Sequence, residues 1–443
     1  MGNPNERLIL TSILTGTFLV PVNSTMIAVG LPTIADSLGV TLTQVSWVIT
    51  IYLIVMATIQ PIAGKLGDLY GKRNMFLLGM LLFLVAAAAC IMSFNLLWLI
   101  LFRALQAIGG AIASPNASAL IREVVPKEKL GRTFGTFGLL MGLGAAIGPL
   151  VGSVLIGAWG WTSIFWINIP FALFSLLLAA RYLPKSRKQA GGAALDIPGS
   201  LYLTAGLTLF TLAVTHPKLM NVWTIAILAL TVFLFIWQER RCREPLIQFT
   251  LFKIRMFTSA NVAILLSNAI MYSTILVMPV LLQNEYGYSV QRVGILLFIF
   301  SFAMSACSWF GGTLSERLGK KRLVLLSFAI SFAALLGFLG IYWYPTFPYI
   351  ALVLLVGGIG SGMGTPSMQT ASLQAVPKDV SGVASGIFST FRYIGGMAAS
   401  VMVSLFIDYH ELFYSLLAVA LAGLLVSGGL SERRVASDQA GAA

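Results

Sequence analysis

The chain has 443 residues, of which 58% are hydrophobic and 10% charged, and it carries a formal net charge of +13. Soluble globular chains are about 25% charged and about 45–50% apolar, so here the surface as well as the core must be apolar, as contact with lipid permits. The chain is read as an integral membrane protein, and its length says little about domain count.

The same inventory excludes other classes. A nucleic-acid partner calls for a dense Lys/Arg face on a soluble body, whereas these basic residues sit in short loops between apolar runs. Cys90, Cys242 and Cys307 form no CxxC pair and cannot all pair, which leaves neither a metal site nor a disulfide framework. Two histidines, His216 and His410, are too few for hydrolytic or metal-centre chemistry. No enzyme, cofactor or metal is expected. The first apolar run, from Leu8, outlasts a signal-peptide core and continues as a span.

A spanning helix needs roughly 20 apolar residues. In chain order about fourteen runs meet that length, near 8–31, 46–63, 75–94, 96–121, 133–157, 162–180, 197–215, 221–238, 257–284, 293–315, 323–343, 348–375, 381–407 and 412–430. They are uninterrupted, unlike the alternating ten-residue segments of a membrane barrel. With both termini cytoplasmic, nearly all basic residues fall on the inner side, as orientation by Lys and Arg requires. They run from Arg7 through Lys65, Lys72 and Arg73, Arg122 to Arg132, Arg181 to Lys188, Arg240 to Arg255 and Arg317 to Arg322, ending with Lys378, Arg433 and Arg434. Only Lys218 and Arg292 lie outside, while Arg103 and Arg392 lie within spans.

The chain repeats itself. Gly64-Lys-Leu-Gly-Asp68-Leu-Tyr-Gly71-Lys72-Arg73 returns as Gly312-Thr-Leu-Ser-Glu316-Arg-Leu-Gly319-Lys320-Lys321 at an offset of 248 residues. Val125-Pro-Lys-Glu128 returns as Val376-Pro-Lys-Asp379 at an offset of 251, with Gly131, Gly135 and Phe137 matching Gly382, Gly386 and Phe388. Parallel repeats with a site between the halves are a transporter design. The expected fold is all-α: a six-helix bundle over 1–182, two inserted helices with their linkers over 183–256, a second six-helix bundle over 257–430, and a tail over 431–443.

These residues resemble the major facilitator superfamily, specifically its fourteen-span drug:proton antiporter branch, over essentially the whole chain. GKLGDLYGKR resembles the superfamily's loop signature between spans two and three. LILFRALQAIGGA, with Arg103, Gln106, Gly109 and Gly110, resembles the fourth-span motif, although Ala107 stands where glycine is usual. Gly135, Gly144, Gly148, Pro149 and Gly152 match the span-five antiporter motif, which ends here on Ser153 rather than glycine. GIFSTFRYIGG around Arg392 resembles a late-span motif. In span one Asn23, followed by Thr25, replaces the acid usual in that branch. The resemblance implies a multi-pass protein of the plasma (inner) membrane that moves small-molecule cargo, with protons as a candidate coupling ion.

Physical roles follow. By that resemblance Asp68, with Gly64, Gly71, Lys72 and Arg73, and its counterparts Gly312, Glu316 and Gly319 form a gating loop; a carboxylate there can cap a neighbouring helix and bridge to the other half. The alternative is an ordinary positive-inside loop. A lipid-facing Arg103 would cost at least about 2.5 kcal/mol. It is therefore either a cavity residue with a coupling role or an anchor bonded to backbone carbonyls, and the same choice holds for Arg392. Gly144, Gly148 and Gly152 recur every four residues, so they share one helix face and allow close approach, and Pro149 permits a kink. A partner helix from the other half is expected there. Asn23, Thr25, Gln60, Gln106 and Asn116 are candidate cavity residues, as are Trp47, Tyr52, Asn261, Asn268, Tyr272 and Gln369.

Placed on this topology, the acids fall at span ends and none lies near the midplane. A proton-coupled carrier usually buries a titratable group there. The leading reading is a secondary-active exporter of hydrophobic or amphiphilic small molecules. Its rival is a carrier of anionic amphiphiles or lipids without cation-type proton antiport; a non-transporting membrane sensor ranks below both.

Overall fold

The computed structural model describes residues 4–184, 196–215, 221–242, 247–406 and 408–430. His216, Lys218, Lys185, Arg187, Lys188, Arg243 and the tail over 431–443 lie outside these residues. The described chain is helical throughout, without strands. Its helices are α1 Pro4–Leu38, α2 Leu42–Val45, α3 Trp47–Tyr70, α4 Lys72–Ile91, α5 Leu96–Val124, α6 Leu130–Trp159, α7 Ser163–Trp166 and α8 Asn168–Tyr182. They continue as α9 Ile197–Thr215, α10 Val222–Arg241, α11 Arg255–Asn284, α12 Val290–Leu318, α13 Lys320–Leu339, α14 Phe347–Met363, α15 Thr365–Gln374, α16 Ser381–Leu405 and α17 Tyr409–Ser427.

The boundaries follow local chemistry. Asn95 and Asn221 start α5 and α10 by accepting from Trp98 N–H (3.0 Å) and Thr224 N–H (2.9 Å) through their side chains, satisfying donors that a helix start leaves open. The junctions α3–α4 and α12–α13 turn on single glycines, Gly71 at φ 95° and Gly319 at φ 86°. That region penalises any Cβ, which explains why both repeats carry glycine at this place.

Among the described residues, twelve helices are long and apolar enough to cross a bilayer, counting α7–α8 and α14–α15 as continuous. Two of the expected runs lie outside that group. The apolar stretch Ile197–Ala213 of α9 is shorter, and the serines, glycines and Arg392 of α16 dilute its hydropathy.

One apolar core is built from α11 to α17, around Phe300, Phe328 and Phe338. A second gathers Ile13, Phe76, Phe83 and Phe134 from the first helices and reaches Leu373, Val383 and Ile387. Two seams join the early helices to the late ones: α3 against α16, and α6 against α12. The short helix α9 packs on both α3 and α16, and Thr211 Oγ1 lies 3.1 Å from Met397 Sδ. Most of α10 faces outward, as do its Trp223 and Phe233.

Candidate functional site

At the basic end of the bundle the two seams are built from the two copies of the repeat. Asp68, on the last turn of α3, is 6% exposed. Its Oδ1 accepts from Gly382 N–H (2.9 Å) and its Oδ2 from Val383 N–H (2.8 Å). Those are free donors in the first turn of α16, so the carboxylate caps a helix more than 300 residues away along the chain and faces the positive end of its dipole. Lys72 Nζ stands 3.4 Å from Asp68 and 2.6 Å from Glu123, and donates to the Lys378 carbonyl at 3.0 Å. Arg122 donates to the Val376 carbonyl and, at 3.1 Å, to that of Pro377.

The second copy repeats the plan with fewer bonds. Glu316 Oε1 accepts from Arg132 N–H (3.0 Å) in the first turn of α6, but the side chain is exposed. Lys320 donates to Gln374 Oε1, and Gln374 Nε2 donates to the Lys127 carbonyl at 3.2 Å. Arg73 Nη2 donates to the Ala180 carbonyl at 2.6 Å.

Both seams are lined by glycine. A Cβ on Gly64 would strike the Gly382 carbonyl, and one on Gly312 the Gly131 carbonyl and, at 2.6 Å, Gly135 Cα. The antiporter-like stripe divides between two partners. Gly135 faces α12 across the seam, whereas Gly144 lies against Phe18 and Val22, Gly148 against Thr25, and Gly152 against Met26. The last three, with Pro149 among them, thus pack on α1 rather than on the late half. A stripe of small residues announces a close approach but not its partner.

A buried polar cluster lies between α1, α3 and α5. Arg103 is fully buried. Its Nη1 donates to Asn23 Oδ1 (2.7 Å) and Gln106 Oε1 (2.8 Å), and its Nε to the Val48 carbonyl (3.4 Å). The Tyr52 ring covers its face at 4.3 Å. Arg103 is bonded mainly to side chains, which goes beyond the carbonyl-anchor alternative. Gln60 is buried on α3, beside Tyr393 of α16.

The other candidates are dispersed. Asn116 donates to the Ala63 and Ile112 carbonyls (3.0 and 2.8 Å) and fills the notch left by Gly67, acting as a strut between α5 and α3. Thr25 donates to the Pro21 carbonyl within its own helix at 3.0 Å. Gln369 Nε2 reaches Ser118 Oγ at 3.1 Å, joining α15 to α5, while Asn268 bonds back to Ile264. Arg392 is half-buried beside Tyr393. Glu123, Arg122 and Gln374 were missed by sequence reasoning; all three flank the repeated Val-Pro-Lys segment, which was the available signal. At the opposite end a cavity of about 430 Å³ is rimmed by Glu285, Tyr342, Asp408 and His410. There the His410 backbone N–H and ring hold the Asp408 carboxyl below the usual carboxylate range.

The model of the Major Facilitator Superfamily matches residues 13–400 and 260–436, and the chain belongs to that family of membrane transporters. It is 44% identical over 438 residues to the MFS-type transporter YvkA of Bacillus subtilis (strain 168), covering 98% of each chain. It is 28% identical over 413 residues to the multidrug transporter protein MdtP of the same organism, covering 91% of this chain and 75% of that one. Among solved structures, the human organic anion transporter MFSD10 (TETRAN) shares the fold at a TM-score of 0.71 and 16% identity, over 96% of this chain and 100% of that one.

Proposed function

We propose that this transporter is a secondary-active exporter of hydrophobic or amphiphilic small molecules that works by alternating access in the plasma membrane. In this reading it has fourteen spans, both termini are cytoplasmic, six-helix halves occupy 1–182 and 257–430, and α9 and α10 are the insertion between them. The observation that carries the reading is the pair of polar contacts at the basic end, where Asp68 and Glu316 each cap the first turn of a helix from the opposite half. Such contacts form and break as units, so they serve as gates, and with the basic end cytoplasmic this arrangement is closed to the cytoplasm. The multidrug-named relative supports the cargo class.

A second reading concerns cargo charge and rests on the Arg103 cluster, which holds a guanidinium and no acid. A permanent cation brought beside it meets repulsion that low-dielectric surroundings barely screen, whereas an anionic head group can pair with it. Neutral or anionic amphiphiles are therefore favoured, without cation-type proton antiport. Uptake into inverted vesicles, with and without a pH gradient, tests both readings with ethidium as the cation and a fluorescent bile-acid conjugate as the anion. Anion uptake exceeding ethidium uptake, with Asn23→Asp shifting the ratio toward ethidium, is the expected result. Robust gradient-driven ethidium uptake that anionic amphiphiles leave unchanged overturns the charge preference, and no uptake of any probe overturns export.

A further inference from the structure

We infer that the Arg103 pocket is a binding site for one monovalent anion, either a halide or a carboxylate. Nη1 of Arg103 takes the side-chain oxygens of both Asn23 and Gln106. An amide whose oxygen faces the guanidinium turns its amino group away from it, and neither Asn23 Nδ2 nor Gln106 Nε2 has a partner. Arg103 Nη2 and the Tyr52 hydroxyl are unpartnered as well. The four side chains are each at most 2% exposed. On these four side chains the unfilled positions are thus three amino groups and one hydroxyl, all able to donate, around one positive charge.

Geometry narrows the ligand further. Tyr52 lies over the guanidinium at 4.3 Å and Phe165 at 6.0 Å, so the unpartnered Nη2 is left to bind a ligand along the guanidinium edge. An edge of N–H donors on a positive charge suits a compact acceptor and rejects a metal ion or an ammonium group. No described acid forms an ion pair with Arg103, and buried charges are ordinarily paired. An anion bound at Nη2 would supply the missing partner. Entry is by the seam, since Tyr393 of α16 packs on the Tyr52, Met56 and Ala107 cluster. Opening of α3 from α16 exposes this side.

The site holds whether or not export is correct; only its carboxylate arm rests on the transport reading. The test uses purified full-length protein in nanodiscs at constant ionic strength, with gluconate as the filler anion, and measures binding of radiolabelled chloride and of radiolabelled octanoate. Saturable binding of one equivalent of chloride, displaced by octanoate, identifies a site shared by both sources. Saturable octanoate binding without chloride binding assigns it to carboxylates. Asn23→Asp places a carboxylate 2.7 Å from the guanidinium, and is expected to weaken either anion at least about tenfold without lowering the thermal unfolding midpoint. Gln106→Leu, which removes one donor and no charge, should weaken it severalfold. Absence of saturable binding of both anions overturns the proposal, and so does binding that survives unchanged in Asn23→Asp. Failure of vesicle export with anion binding intact removes the transport reading and leaves the site standing.

Discussion

Asp68 and Glu316 hold the same place in a repeated sequence, and each accepts from the first turn of a helix in the other half. They differ in surroundings. Asp68 is buried, makes two bonds to backbone N–H groups and has Lys72 beside it, held in turn by Glu123 and the Lys378 carbonyl. Glu316 is exposed and makes one. The α3–α16 seam is also bridged by α9, which packs on both of its helices, in addition to α5, while α15, the counterpart of α5, packs on both α6 and α12. Sequence symmetry therefore does not make the two contacts energetically equal. Hydrogen bonds to a charged group contribute about 1.5–3 kcal/mol, while exposed charge contacts contribute about 0–1 kcal/mol, so the α3–α16 contact is the stronger of the two.

The comparison can be broken first at Asp68. In a background with the native cysteines replaced by serine, Ser385→Cys is a buried reporter on α16 whose labelling by an impermeant maleimide measures opening. Asp68→Asn keeps the shape but cannot accept from both N–H groups, and the loss of one charge-assisted bond predicts labelling faster by about ten- to hundredfold. An unchanged rate would remove Asp68 from the closing contact. Next come the glycines: a methyl group at Gly64 or at Gly312 meets backbone, and overpacking costs about 1–3 kcal/mol. Gly64→Ala and Gly312→Ala should thus each raise labelling by about tenfold, and nearly equally, because the bare-backbone contact is alike at the two seams. A large inequality would mean that the seams differ in packing as well as in charge. Lys72→Met removes the ties to Glu123 and Lys378 but leaves the cap in place, so an increase of about threefold is expected, equivalent to about 0.7 kcal/mol. Glu316→Gln comes last, with less than about a twofold change. A change as large as that of Asp68→Asn would make the two contacts equivalent after all.

The helices were legible because lipid demands long apolar runs, and the repeat identified which loop residues would be paired in role. What each acid touches was not legible. The Asp68 contact lies between residues more than 300 positions apart, and no period or spacing encodes such a meeting. The glycine stripe of α6 gave closeness without direction, so Gly144, Gly148 and Gly152 turned out to face α1 while Gly135 faces α12. Asn116 looked like a cavity residue because it is polar within a span, yet its amide serves helix carbonyls at the notch of Gly67. Polarity within a span signals a need for partners, which backbone can meet as well as cargo. Arg103 and Asn23 stood out in the sequence, but their pairing required the fold, since α1 and α5 are not sequence neighbours.

The bare glycine faces at Gly64–Gly382 and Gly135–Gly312 have a kinetic consequence. Where large side chains interdigitate, one helix turns past another only by lifting knobs out of holes, and each such step adds to the barrier. Two smooth backbone surfaces act instead as a bearing, sliding with little rotamer change. In the alternating-access reading proposed above, friction between the seams is then small, and release of the Asp68 carboxylate from the first turn of α16 is the larger barrier to opening.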